Sequence, residues 1–165
     1  MSGIDVILHP TDFSEEADRA FQLGCSIARD HGATLVIIHV IPPTVDSSDD
    51  IESDLLNEAW PIVQRSHEQF ERMKAMAPDL KLKFHLVKGY PVGMILNVAH
   101  EEQADLIVIA SERRTPSPFQ MHGSVAAGVL RQAACPVCCV RQPDPAKLNS
   151  TDHSGKSASY NNKDR

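Results

Sequence analysis

Short apolar runs alternate with longer segments of helical periodicity along most of the chain. Five runs predict β-strands, because each is short, apolar and bounded by turn residues. They cover residues 5–9, 33–41, 81–87, 105–110 and 136–141. The clearest is ATLVIIHVI at 33–41, which stops at Pro42-Pro43, whereas the run 81–87 alternates apolar and charged residues like a strand with one wetter face.

Apolar residues at helical spacing fill the intervals between these strands. Ser14 followed by two glutamates predicts a helix start, and Gly32 predicts the end of that helix. The segment 51–77 is also helical in pattern but contains Pro61, so either a kink or a second helix with Pro61 in its first turn is expected. Shorter helices are predicted after Pro91 and over 123–134.

The inward side of the helical segment 51–77 is predicted from the same spacing. Trp60 is expected to pack on that side rather than to stack on a base. The other inward candidates are Leu55, Leu56, Ile62, Val63, Phe70 and Met73.

Strands that alternate with helices predict an α/β fold, here a single-domain, doubly wound, five-stranded parallel sheet with right-handed crossovers. Ligands bind such sheets outside the carboxyl ends of the strands, where the strand order reverses. We therefore expect Pro10-Thr11-Asp12, after the first strand, to face the loop from Ser111 to Ser124, after the fourth.

Length and charge narrow the class of protein. A chain of 165 residues is long enough for one well-buried core. Its formal net charge of −6 argues against a nucleic-acid partner, which needs a basic face. No apolar run reaches the length of a membrane span and no signal peptide opens the sequence, so we expect a cytoplasmic protein that does not enter the membrane.

Three segments carry a resemblance to a known family: ILHPTDFSEEADRAF, DLIVIAS and GSVAAGVLRQAACPVCCVR. In order and spacing they resemble the universal stress protein family, over residues 4–141. The resemblance implies a Rossmann-like sheet of the adenine nucleotide alpha hydrolase type, with strand order 3-2-1-4-5. It also implies a homodimeric stress-response module that binds ATP or AMP, with Mg²⁺ accompanying ATP. We expect residues 1–141 to form this domain and the polar residues 142–165 to form a flexible tail.

The resemblance also implies a binding site. In nucleotide-binding members, adenine lies against the segment that matches Pro10-Thr11-Asp12 and against the position of Val40, and the phosphates rest on the loop after strand four and on Gly123-Ser124. A helix start offers free N–H groups to a phosphate, and glycine permits close approach. The expected site residues are Pro10, Thr11, Asp12, Val40, Ala110, Ser111, Arg113, Gly123, Ser124 and Val125.

The sequence departs from the family's glycine pattern at two of these positions. That pattern has Gly, two residues, Gly, nine residues and Gly-Ser, and its first two glycines fall here on Ala110 and Arg113. Arginine is unfavourable where φ must be positive. Two interpretations stay open. Arg113 or Arg114 binds the phosphates itself, or the loop has another shape and the protein acts without nucleotide, through contacts with an unknown protein partner.

The remaining chemistry-bearing residues have simpler explanations. Cys135 and Cys138 have the spacing of a redox pair, but the pair leaves a helix and enters a strand, so packing is the expected role. His9 and His39 are expected to line the core or the pocket rather than to bind a metal. No nucleophile has an adjacent base, so we predict a binding protein with at most slow ATP hydrolysis. The strand 136–141 is expected to be an edge through which two copies pair.

Overall fold

The computed structural model describes residues 3–43, 59–111 and 125–141. Within these ranges strands and helices alternate along the chain. They are β1 (Val6–Pro10), α1 (Glu15–His31), β2 (Thr34–Ile41), α2 (Ala59–Met76), β3 (Lys81–Lys88), α3 (Pro91–Glu101), β4 (Leu106–Ser111), α4 (Val125–Gln132) and β5 (Val137–Arg141). The five predicted strands are all present. Pro61 is the third residue of α2 as described, and residues 51–58, on which the choice between a kink and a second helix depends, lie outside the described residues.

The strands of the described residues form one parallel sheet in the order β3-β2-β1-β4-β5, which confirms the predicted topology. β1 lies at its centre, where Leu8 is in register with Val36 of β2 and with Ile107 of β4. Just before β4, the Asp105 carboxylate accepts the backbone N–H groups of Asp5 and Val6, each at 2.9 Å. These two bonds lower the pKa of Asp105 and tie the starts of the two strands together.

Each face of the sheet carries one pair of helices over its own apolar core. Alternate residues of each strand point to opposite faces, so the two cores share strands but no side chains. The α1/α2 core consists of Ile7, Ala20, Phe21, Cys25, Ala28, Ala33, Leu35, Ile37, Phe70, Met73, Ala77 and Val108. The α3/α4 core consists of Leu8, Val36, Ile38, Ile95, Val98, Ala99, Ile107, Ile109, Ala126 and Val129.

Both ends of α1 are capped as the sequence predicts. The Ser14 hydroxyl accepts the N–H of Ala17 at 3.2 Å, and Glu15, Glu16 and Asp18 place negative charge on the positive end of the helix dipole. Gly32 ends the helix in the left-handed conformation with φ of 68°. The start of α1 is therefore fixed directly after the carboxyl end of β1.

Helix α2 differs from its sequence pattern at its first turns. Phe70 and Met73 are buried as predicted, whereas Trp60 is 61% exposed and Ile62 43% exposed. The prediction that these two residues pack inward is wrong, because the α1/α2 core takes only Phe70, Met73 and Ala77 from the described part of this segment. Leu55 and Leu56 lie outside the described residues.

A glycine sets the distance between α3 and α4. A Cβ placed on Gly128 of α4 would lie 2.7 Å from Cγ2 and 3.3 Å from Cγ1 of Val92 in α3. Real Cβ atoms do not approach this closely, and the β-branched Val92 has little rotamer freedom to withdraw. The glycine therefore lets the two helices pack side by side over the α3/α4 core.

We predict that Gly128→Ala lowers the free energy of unfolding by about 1 kcal/mol, because the overpacking against Val92 outweighs the gain in helix propensity. Gly93→Ala in α3 is the matched control, since a Cβ there meets nothing within 4 Å. Gly93→Ala should raise the free energy of unfolding by about 0.5–1 kcal/mol.

Urea denaturation of the single variants and of Gly128→Ala in a Val92→Ala background measures both effects. In the Val92→Ala background, Gly128→Ala should no longer lower the free energy of unfolding. An equal penalty in both backgrounds would show that Val92 is not the obstacle.

Candidate functional site

The turn between β1 and α1 is held by a chain of short hydrogen bonds. The Thr11 N–H donates to the Ile38 carbonyl of β2 at 2.9 Å. The Thr11 hydroxyl accepts the N–H of Phe13 at 3.0 Å, and Oδ1 of Asp12 accepts the N–H of Ser14 at 3.0 Å. His39 Nδ1 lies 2.8 Å from the Thr11 carbonyl oxygen, which can only accept, so this nitrogen carries the proton. The turn is therefore anchored both to itself and to the neighbouring strand.

A cavity of about 490 Å³ opens beside this turn, at the carboxyl ends of β1, β2 and β4. This is the size range of small-molecule pockets, and the place where doubly wound sheets bind ligands. Its described lining comes from both sides of the sheet: Pro10, Thr11, Asp12, Ser14, Glu16, Ala17, Ile38, His39, Val40, Pro42, Pro91, Ile95, Ile109, Ala110, Val125 and Ala126.

The structure brings six of the ten expected site residues to this cavity: Pro10, Thr11, Asp12, Val40, Ala110 and Val125. Ser111 ends β4 in register with Arg141 of β5 and is not among the lining residues. Arg113, Gly123 and Ser124 lie outside the described residues, as do Arg114, Pro116 and Pro118 of the same loop. Val125, the first residue of α4 and the residue that follows Gly123-Ser124 in sequence, is nevertheless among the lining residues.

The sequence did not predict several other residues that line the cavity. Glu16 and Ala17 follow from the position of α1, because a helix that begins directly after β1 turns its first residues toward the strand ends. Pro91 and Ile95 of α3 had no such signal. They reach the cavity only because α3 packs beside α4 on the same face of the sheet.

The described lining is mostly apolar, with a few polar groups on one side. The carboxylates of Asp12 and Glu16 and the imidazole of His39 are its titratable groups, and no lysine or arginine is among the described lining residues. Such a cavity suits a flat apolar ring with hydrogen-bond donors. Two carboxylates without a described counter-charge suit a cation better than a bare polyphosphate.

His9 lies buried in β1, one residue before the turn. Its Nδ1 lies 2.9 Å from the Val108 carbonyl of β4, and its Nε2 has no partner among the described residues. Burial lowers the pKa of His9 to about 4, although the Val108 carbonyl and Asp12 both act to raise it. The imidazole is therefore neutral at physiological pH and part of the packing between β1 and α1, with the ring of Phe21 at 5.9 Å.

The cysteine arrangement disfavours a redox pair. Cys135 packs against the α3/α4 core and Cys138 against the α1/α2 core, so the two thiols lie on opposite faces of the sheet. A disulfide needs Cβ atoms about 4 Å apart on converging vectors. Burial also raises the pKa of the Cys135 thiol, which opposes formation of the reactive thiolate.

The described residues contain no cluster of three or more histidine, cysteine, aspartate or glutamate side chains that could hold a metal ion. In the same ranges, no helix combines the length and the apolar character that a bilayer crossing requires.

A second cavity, of about 540 Å³, lies between the end of α2 and the start of β3, and Lys74, Pro78, Leu80 and Leu82 are among its lining residues. It opens near the amino end of an edge strand. Since ligands of doubly wound sheets bind at the carboxyl ends, the first cavity is the better candidate site.

Comparison with known proteins agrees with this fold. The model of the universal stress protein family matches residues 3–141. A universal stress protein of Methanocaldococcus jannaschii is 30% identical over 145 residues, which cover 83% of this chain and 82% of that protein. The solved universal stress protein UspA of Lactobacillus plantarum superposes with a TM-score of 0.68 at 27% identity, over 86% of this chain and all of that one.

A further solved relative is a ligand complex. A universal stress protein crystallised in complex with cAMP superposes with a TM-score of 0.61 at 25% identity, over 85% of this chain and 98% of that one. Fold, family model and sequence identity agree. The chain belongs to the universal stress protein family.

Burial of His9 predicts a pH-dependent stability. The folded protein keeps His9 neutral down to a pKa of about 4, whereas an unfolded histidine binds a proton near pH 6.5. The contribution of neutral His9 to the free energy of unfolding is therefore fully present above pH 6.5. It is lost as the pH drops toward 4, by about 3 kcal/mol in all. His9→Asn places an amide N–H near the position of Nδ1, so it keeps a donor for the Val108 carbonyl but does not titrate.

Urea denaturation of both proteins between pH 7.5 and 4.5 measures this effect. The carboxylates of Asp79, Glu102 and Asp105, whose pKa values are also lowered, contribute equally in both proteins. The difference between the two curves therefore isolates His9. It should change with pH over this window, and parallel curves would contradict the account.

Proposed function

We propose that this chain binds an adenine nucleotide in the cavity beside the β1–α1 turn, as a non-enzymatic cytoplasmic stress-response module. The observation that carries the proposal is the meeting of two distant segments at one cavity. Pro10, Thr11 and Asp12 line one side, and Val125, at the start of α4, lines the other. The crystallised relative with bound cAMP shows that a protein of this family and fold accepts an adenine nucleotide.

The base and ribose would lie in the apolar part of this cavity. Pro10, Ile38, Val40 and Ile109 present apolar surface on both sides of β1. Oδ1 of Asp12 is bound to the Ser14 N–H, which leaves Oδ2 for a donor such as an exocyclic amine or a ribose hydroxyl. A hydrogen bond to this ionised oxygen would be among the strongest that the site can offer.

The phosphates would lie toward α4. The helix start at Val125 and the Gly123-Ser124 that precedes it in sequence would supply N–H groups and the positive end of a dipole. Asp12 and Glu16 would repel a triphosphate, so ATP would enter with Mg²⁺, while AMP needs less compensation. Arg113 would supplement the helix start where the family has glycine.

A homodimer through β5 completes the proposal. The two edges of the described sheet differ in character, since β3 carries exposed Lys81, Lys83 and Lys88 whereas β5 has the sequence VCCVR with four half-buried apolar residues. Lysines protect an edge from pairing, and an apolar edge invites it.

Sedimentation velocity of the wild type should show a dimer that Cys139→Lys weakens and Leu86→Lys on β3 does not. A wild-type monomer would contradict this assembly.

Calorimetric titration with AMP and with ATP plus Mg²⁺ tests the nucleotide proposal. We expect binding of both, and weaker binding of ATP when Mg²⁺ is removed. Asp12→Asn, which retains the oxygen that accepts the Ser14 N–H, should weaken binding about tenfold, the effect of one charged hydrogen bond. Asp18→Asn is the matched control, because Asp18 is exposed on α1 and is not among the lining residues.

The competing function is that of a nucleotide-free stress protein acting through protein contacts. Arg113 at a glycine position of the family pattern and the acidic lining favour it. Absence of heat and of a thermal shift with both nucleotides, together with no small molecule released from the denatured protein, would overturn the nucleotide proposal and leave this one.

A further inference from the structure

The residue at the apex of the β1–α1 turn has an unusual backbone. Phe13 has φ of 62°, in the left-handed region. A bulky L-residue rarely adopts this conformation, because its Cβ crowds the following carbonyl oxygen. Such a residue persists only where the surrounding contacts hold it in place.

Two groups of contacts hold Phe13. Its N–H donates to the Thr11 hydroxyl, and the following N–H, of Ser14, donates to Asp12. Its ring lies with its centroid 4.4 Å from that of His39, tilted by 34°, and 5.6 Å from that of Phe70 in an edge-on arrangement. The ring is thus held between β2 and α2.

These contacts lie outside the described lining of the cavity but hold residues that line it. Thr11, Asp12 and His39 line the cavity, whereas neither Phe13 nor Phe70 is among the described lining residues. Because His39 also binds the Thr11 carbonyl, the ring stack and the hydrogen bonds fix the same short segment. A shift of the Phe13 ring would therefore move the carbonyl of Thr11 and the carboxylate of Asp12.

We propose that Phe13 is a positioning residue for the ligand cavity and that Phe70 of α2 acts on the cavity through it. The inference rests on the proposed nucleotide binding, and it adds that a helix outside the cavity sets the affinity of the site.

Phe84 of β3 provides a matched control. Its ring lies 4.8 Å from that of Phe70 and packs against the same α1/α2 core, but it has no ring contact with Phe13 among the described residues. Phe84→Leu removes an aromatic ring from that core at a residue that contacts Phe70 but has no ring contact with the turn. It therefore reports the general effect of a loosened core.

The affinity test uses AMP and ATP plus Mg²⁺ as ligands. Phe13→Leu and Phe70→Leu should each weaken binding about tenfold, as expected from misplacing one charged hydrogen bond. Phe13→Tyr, which keeps the ring, and Phe84→Leu should stay within about twofold of the wild type. Phe13→Gly relieves the backbone but removes the ring, so it should weaken binding like Phe13→Leu. Wild-type affinity in Phe70→Leu or in Phe13→Gly would overturn the proposal.

A second readout needs no ligand. NMR hydrogen exchange of the Phe13 and Ser14 amides in the free protein reports whether the turn is held. Exchange should be about tenfold faster in Phe70→Leu and unchanged in Phe84→Leu. If the wild type bound neither nucleotide, the proposed function would fail while this measurement still decided the positioning role. Unchanged exchange in Phe70→Leu would overturn that role in either case.

Discussion

The parallel pairing of β1 with both β2 and β4 is the constraint on which the rest of this structure depends. Leu8 is in register with Val36 on one side and with Ile107 on the other. From β1 the chain continues through α1 on one face of the sheet, whereas α4 follows β4 on the opposite face. Helices α1 and α4 therefore lie on opposite faces of the sheet, and the cavity is lined by the first residues of both.

The chemistry of the cavity follows from this position. Parallel strands buried on both faces leave apolar side chains at their carboxyl ends, and Ile38, Val40 and Ile109 are such residues. Polar groups come from the turn, where Thr11 and Asp12 have left the sheet and are held by their own hydrogen bonds. An apolar cavity with polar groups on one side matches the nucleoside of the proposed ligand, whose ring is flat and whose edges carry donors.

Much of this arrangement could be predicted from the sequence. The five strands and the caps of α1 follow from periodicity and turn residues. The rule for doubly wound sheets places Pro10-Thr11-Asp12 opposite the loop from Ser111 to Ser124; residues 112–124 lie outside the described residues, and Val125, which follows them, lines the same cavity. The family resemblance supplied the strand order and the expected contacts, which local patterns do not contain.

Other features could not be predicted, because they depend on contacts between distant residues. Propensity argues against a left-handed phenylalanine, and Phe13 adopts that conformation beside His39 and Phe70, which are far away in sequence. The approach of Gly128 to Val92 and the exposure of Trp60 likewise depend on where whole helices pack. Helical spacing marks which residues of a helix share a side, but not how far along the helix the core extends.

Photolabelling with 8-azidoadenosine 5′-monophosphate, followed by peptide mapping, tests the central claim most directly. The account predicts label on peptides that contain residues 10–17, 38–42 or 125–126, with loss of label when excess AMP competes. Competable label on the cavity between α2 and β3, around Lys74 and Leu82, would contradict it, because the adenine site would then lie at the other end of the sheet.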